Sequence, residues 1–189
     1  MKNNFYFENK KEKHLLVIIA IAILGLWFWY MLWASGIGRR TVLMKTIPEL
    51  TTYITVGSII GLFFAGHTTY YRPVGRTPIY VLKSFGGGFC IGLVSILNFY
   101  DVCVYLVPGE INQYKSEYEI TFPGPSTGKS SHCEAGLWIK DAHTQRWIQL
   151  CTNRTELYQK QSPGMNKVRV TARSNNLGSY ILDYQFIYK

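Results

Sequence analysis

The chain has 189 residues, 48% of them hydrophobic, a formal charge of +9 and a mean hydropathy of +0.02. That length accommodates a small membrane bundle with one modest extramembrane domain and excludes two large domains. The charge excludes a nucleic-acid binder rather than suggesting one: the 20 Lys and Arg are scattered, never more than two adjacent, and no nucleic-acid motif accompanies them.

The average hydropathy conceals a split, with residues 15–107 mostly apolar and 109–189 ordinarily polar. The sequence therefore predicts an α+β membrane protein: three transmembrane helices (about 15–34, 50–66 and 84–100), then a small antiparallel β-rich extramembrane domain over 108–189. Residues 1–14 (MKNNFYFENKKEKH) form a short basic tail. Leu15 to Ala34 has no charge, no Pro and one Gly, and twenty helical residues span about 30 Å, the hydrocarbon thickness of a bilayer. The run is too long for a cleavable signal, and Leu32 and Ala34 are a poor cleavage match, so a retained anchor is expected. Trp27, Trp29, Tyr30 and Trp33 fall in its last two turns, as an aromatic belt at a membrane–water interface would.

Residues 35–49 read as a connection, with Pro48 suited to a helix start. The second span, 50–66, is uncharged and carries Gly57, Gly61 and Ala65 four apart. The third, 84–100, repeats the device with Ser84, Gly88 and Gly92. Small residues at that spacing let helix backbones approach closely, where van der Waals contact replaces a hydrophobic effect that lipid does not supply. The two segments are thus expected to pack as an antiparallel pair, leaving a face where a membrane partner binds. Gly86-Gly87-Gly88 also admits a hinge or pore-lining break, which nothing else in the sequence supports.

Topology follows from charge. With the N-terminus inside, the tail and the 67–83 loop place seven Lys and Arg on the inner side, against Arg39, Arg40 and Lys45 outside. The positive-inside rule favours that orientation and puts the C-terminus outside, although Arg39-Arg40 opposes it. Asp101 is expected at the outer interface, since a carboxylate at the bilayer centre costs roughly 2.5–3.5 kcal/mol. Val102–Val107 is then interfacial or first-strand material.

Beyond Gly109 the pattern turns to period two. Tyr114–Phe122, a hairpin of Gly136–Ala142 with Arg146–Thr152, Lys167–Ser174 and Tyr180–Tyr188 give five strands, expected as a small sandwich or half-barrel. In the last of them Ile181 is out of phase with Tyr184, Phe186 and Tyr188. Thr155–Gln161 is long enough for a turn or two of helix. A domain this small benefits from a staple. Cys133 and Cys151 flank the hairpin and are the disulfide candidate, closing a loop worth roughly 3 kcal/mol if the domain lies outside the cytoplasm.

Gly124–Ser130 (GPSTGKS) resembles a phosphate loop but has Pro123 where the first Gly should stand, and extended sequence follows it instead of a helix. The four His are dispersed, and neither His132–Cys133 nor Asp141–His143 has a third group to orient it. Glu110, Glu117, Glu119 and Glu134 lack metal-ligand spacing. No catalytic residue, cofactor or metal is expected. Asn153-Arg154-Thr155 is a glycosylation sequon with meaning only in a eukaryotic secretory protein. The expected function is recognition: a multi-pass protein of the inner membrane with a periplasmic domain, binding a partner such as a membrane-acting toxin or an envelope complex. A channel or transporter subunit, and less so an envelope-acting enzyme, are the alternatives.

Overall fold

The computed structural model describes residues 10–71, 78–126 and 132–188. The first nine residues of the tail, Arg72 and Arg76 of the second loop, and 127–131 of the GPSTGKS segment lie outside the described residues. The chain divides into two compact units, 1–33 and 34–189.

The first unit holds most of α1 (Lys10–Gly38). Its apolar side chains are exposed along their length, Ile21 by 64% and Leu26 by 68%. A helix apolar on every face with its apolar side chains exposed is compatible with an apolar surround.

The second unit begins with the last turn of α1 and continues through β1 (Thr41–Leu43), α2 (Glu49–Tyr70), α3 (Ile79–Ile96) and α4 (Phe99–Leu106). β2 (Glu110–Ser116), β3 (Tyr118–Thr121), β4 (Ala135–Lys140), β5 (Trp147–Thr152), α5 (Arg154–Lys160), β6 (Lys167–Asn175) and β7 (Gly178–Ile187) complete it. Among the described residues three stretches, 14–38, 49–70 and 79–106, are long and apolar enough to cross a membrane. The fold class is α+β with antiparallel sheets.

The second and third spans outrun their expected limits by several residues, and the third is broken. Leu97 leaves the helical region and Asn98 adopts φ 61°, the left-handed conformation that Asn tolerates better than most side chains. Val102–Leu106, read as interfacial or first-strand material, is helix α4 instead. The chain turns a corner at Asn98 rather than ending its helix there.

Helices α2 and α3 pack antiparallel through their glycines. A Cβ on Gly88 would stand 3.1 Å from the Gly61 Cα, and one on Gly92 3.1 Å from the Gly57 Cα. At one end the Thr68 and Ser84 hydroxyls meet at 2.6 Å; at the other, Thr52 Oγ1 meets the Tyr100 hydroxyl of α4 at 2.8 Å. Gly57, Gly61, Gly88 and Gly92 are buried against each other's helices. Their face is therefore occupied within the chain, as expected of an antiparallel pair.

Among the described residues the β domain has seven strands rather than five. β1 arises in the 35–49 connection, and the expected strand 114–122 divides at Glu117 into β2 and β3, which enter different sheets. One sheet runs β1-β7-β6-β2 and the other β3-β4-β5. The corner is fixed by the Ser116 hydroxyl, which donates to the Lys140 carbonyl (2.9 Å) and accepts from the Lys140 amide (3.1 Å). Both sheets share one core, with Leu137, Ile139, Val168, Val170 and Ile181 nearly or fully inaccessible. The phase change in the last strand has a simple cause. Thr171 pairs with Asp183 but Ala172 with Ile181, so Leu182 is the extra residue of a β-bulge. The predicted hairpin is present as β4 and β5, and α5 is capped by Asn153, whose Oδ1 accepts from the Glu156 amide at 2.6 Å.

A side chain at Gly61 must push α2 from α3, at a cost of about 1–3 kcal/mol by overpacking. With Cys90 and Cys103 replaced by Ala, a Thr68→Cys/Ser84→Cys pair should oxidise readily to a crosslink. Adding Gly61→Leu should cut the yield several-fold. Gly86→Leu, where a Cβ would meet nothing within 4 Å, should leave it unchanged.

Candidate functional site

The polar positions at the junction of the helices with the β domain are set by two local devices. The first is the β4–β5 turn. The fully buried Asp141 carboxylate accepts from the Thr144 amide (2.7 Å), the Thr144 hydroxyl (2.7 Å) and the Tyr114 hydroxyl (2.7 Å). Gln145 adopts φ 56°, the Asp141 amide bonds the Arg146 carbonyl (2.9 Å), and the chain reverses in the way Asp-led turns permit. That reversal delivers Arg146, whose Nη1 donates to the Leu43 carbonyl of β1 at 3.0 Å. The second device is Pro48, which starts α2 so that Glu49 lies in its first turn.

Glu49, Asp101 and Arg146 thereby line a cleft of about 190 Å³, floored by β1 and walled by Trp147. A shallower depression shares Glu49 and Arg146 and runs along 44–53. Asp101 sits in the first turn of α4, one helical turn past the corner at Asn98, and a Cβ on Gly38 would stand 3.2 Å from its Oδ2. Trp147 is 48% exposed. Two carboxylates, a guanidinium and an indole on one rim offer a partner hydrogen bonds of both polarities beside an apolar plane. Of these, Asp101 stood out in the sequence as the lone charge in an apolar run, and Arg146 and Trp147 only as members of a hairpin arm. Glu49, Arg146 and Trp147 carried no motif; Pro48 before Glu49 was the available signal.

The remaining sequence-predicted positions are placed as follows. In the first unit, Trp29 and Trp33 stack at 6.4 Å with an 8° interplanar angle, and Tyr30 meets Trp33 at 6.3 Å. Trp27 is 37% exposed. Ala65 and Ser84 lie at the α2–α3 seam, half-buried, Ser84 Oγ donating to the Phe64 carbonyl at 3.4 Å. Cys133 and Cys151, 18 positions apart in sequence, form a disulfide with Cα atoms 5.6 Å apart. Cys133 is therefore not available as a nucleophile beside His132. The His143 Nε2 is bonded to the Asn175 carbonyl at 3.0 Å, and Asp141 is engaged as above. Among the described residues no three His, Cys, Asp or Glu gather as a metal-holding group.

Sequence reasoning also missed the groups that end α4. Asn175 Nδ2 donates to the Val104 carbonyl (3.0 Å) and the Val107 carbonyl (3.3 Å), and Arg173 donates to the Tyr105 carbonyl while lying over the Tyr105 ring. Polar side chains three residues apart or closer on an alternating strand read as solvent-facing, and only the fold reveals that a helix end stands opposite.

Burial, followed by the hydrogen bond to Asp141, pushes the Tyr114 phenol well above its ordinary 10.0. A raised folded value means that the folded state holds the proton after the unfolded chain has lost it, so this contribution is complete below pH 10 and declines as pH rises above it. In denaturant titrations, stability should fall more steeply above pH 10 for the natural protein than for Tyr114→Phe. At neutral pH Tyr114→Phe should cost about 1 kcal/mol, and Asp141→Ala, which strands two buried donors and the half-buried Tyr114 hydroxyl, about 3 kcal/mol or more. No protein-family model matches the chain, and neither the curated proteins nor the solved structures give a match.

Proposed function

We propose that this chain is a multi-pass inner-membrane protein, N-terminus cytoplasmic, whose periplasmic β domain recognises a protein partner in concert with its membrane helices. Immunity against a membrane-acting toxin, or an accessory role in an envelope complex, is the kind of function this supports. The protein acts by binding and not by catalysis.

The observation that carries the reading is the pairing of β1 with β7, Thr41 opposite Tyr180 and Leu43 opposite Gly178. The connection between the first two spans and the C-terminal strands belong to one sheet, so both stand on the same side of any bilayer the helices cross. Two spans intervene between them, which agrees with a three-span arrangement. The Cys133–Cys151 disulfide supports an oxidising compartment for that side. The polar groups buried in the domain bond one another, as Asp141, Thr144 and Tyr114 do, which is the behaviour of a scaffold. The rim at Trp147 and Arg146 has the composition of an interface anchor, Trp, Tyr and Arg being the residues whose truncation costs most at protein interfaces.

A photo-crosslinking residue at Trp147, expressed in native membranes, should capture one specific protein, while the same residue at Lys140 should not. Trp147→Ala should weaken that association by about 2 kcal/mol, near thirtyfold. Capture of nothing above background at Trp147, Tyr158 and Phe122 alike would sink the reading. Labelling of Cys103 and Cys133, after reduction, by a membrane-impermeant thiol reagent in intact cells tests the compartment; protection of both would reverse it.

A further inference from the structure

The adjacent arginines Arg39 and Arg40 have no account in the reading above. They stand on the side of the membrane that the charge bias disfavours, so orientation gives no reason for them. In the structure they follow the last turn of α1 and border a cleft of about 380 Å³ whose other walls include Lys160, Glu156, Asp183 and Tyr184. The backbone of Arg40 is fixed, its carbonyl accepting from the Ile181 amide at 2.8 Å and its amide donating to the Ile37 carbonyl at 2.9 Å. Gly36, within the stretch able to cross a membrane, lines the same cleft. The opening is therefore level with the end of a span.

Charge is not balanced there. Glu156 is taken by Lys160, with the ammonium at 2.7 Å and lying over the Tyr184 ring, and by the Thr152 hydroxyl at 3.2 Å. Arg40 also acts electrostatically on Glu156, so the lining carries Arg39, Arg40 and Lys160 against the two carboxylates of Glu156 and Asp183, and neither Arg39 nor Arg40 forms an ion pair among the described residues. Each guanidinium offers a planar fork that matches two phosphate oxygens, and it is more weakly hydrated than an ammonium. At the end of a transmembrane helix the phosphate present in abundance is that of the lipid.

We propose that the cleft bordered by Arg39, Arg40 and Lys160 holds the phosphate of an anionic phospholipid headgroup, fixing the β domain against the bilayer surface. The proposal rests on the reading of α1 as a membrane span and is independent of any protein partner.

The test uses the full chain in nanodiscs of phosphatidylcholine with graded phosphatidylglycerol, reading the thermal midpoint and the lipids retained on release by native mass spectrometry. The natural protein should gain stability with phosphatidylglycerol and retain it selectively. Arg39→Gln/Arg40→Gln should lose that selectivity, with each arginine worth roughly fivefold in lipid affinity. Arg39→Lys/Arg40→Lys should retain part of it, because the charge remains without the bidentate fork. Lys45→Gln, a basic residue of the same connection that does not line this cleft, should behave as the natural protein. The intact Cys133–Cys151 disulfide, read by gel mobility, verifies that the variants are folded. An unchanged phosphatidylglycerol response in the double Gln variant overturns the site. So does equal stabilisation by inorganic phosphate in phosphatidylcholine alone, which would make it a site for free phosphate. Release of the natural protein by alkaline carbonate would instead bring down the membrane reading on which the site depends.

Discussion

The end of α4 is where this structure meets its hardest physical requirement. A helix leaves its last carbonyls without partners, and at the margin of an apolar phase water does not reliably supply them. Here the supply comes from β6: Asn175 serves the Val104 and Val107 carbonyls, and Arg173 serves that of Tyr105. Asn175 also accepts from the Leu177 and Gly178 amides through its Oδ1, shaping the β6–β7 turn. One side chain thus ends a helix and begins a hairpin. The Tyr105 ring, edge-on to Tyr180 at 5.0 Å, extends the same contact to β7. The sheet and α4 are joined by bonds that neither part satisfies alone.

The rest of the second unit is arranged around that joint. The α2–α3 pair is held by glycine-to-glycine approach, a form of contact that works where solvent offers no hydrophobic drive. The β domain is held by the opposite economy, a dry core of Val, Leu and Ile shared by two sheets, with the disulfide restraining the loop before β4. Asn98 separates the two regimes: its left-handed backbone redirects the chain so that α4 serves the domain rather than prolonging the span. The cleft of Glu49, Asp101, Arg146 and Trp147 lies at this meeting of regimes.

Much of this is written locally and was legible. Apolar length announces the spans, four-residue glycine spacing the helix pair, and Trp-bearing arms around a polar turn the β4–β5 hairpin. The disulfide followed from where two cysteines fell relative to that hairpin. What escaped notice depends on distant partners. Thr41–Leu43 is too short to read as a strand, and becomes one only because β7 stands beside it. Glu117 looks like one more polar position in an alternating run, but the chain changes sheets there. The third span broke at Asn98 because tertiary demand at α4 outweighed an apolar pattern that would have continued. The residues of the candidate clefts come from seven separate elements, α1, β1, α2, α4, β5, α5 and β7, so no spacing in the sequence joins them.

The short strand β1 has a consequence for how such a chain is assembled. Its partner, β7, is synthesised long after β1, which emerges directly after the first apolar helix. Long-range pairings of this kind close late, because the intervening chain must first be ordered. For a chain threaded through a bilayer, closure also needs the two strands to have arrived in the same compartment. A first helix inserted backwards, or a span skipped, would strand β1 across the membrane and leave β7 as an unpaired sheet edge, open to aggregation. In the proposed three-span arrangement, a correctly threaded chain completes its sheet and an incorrectly threaded one leaves it open.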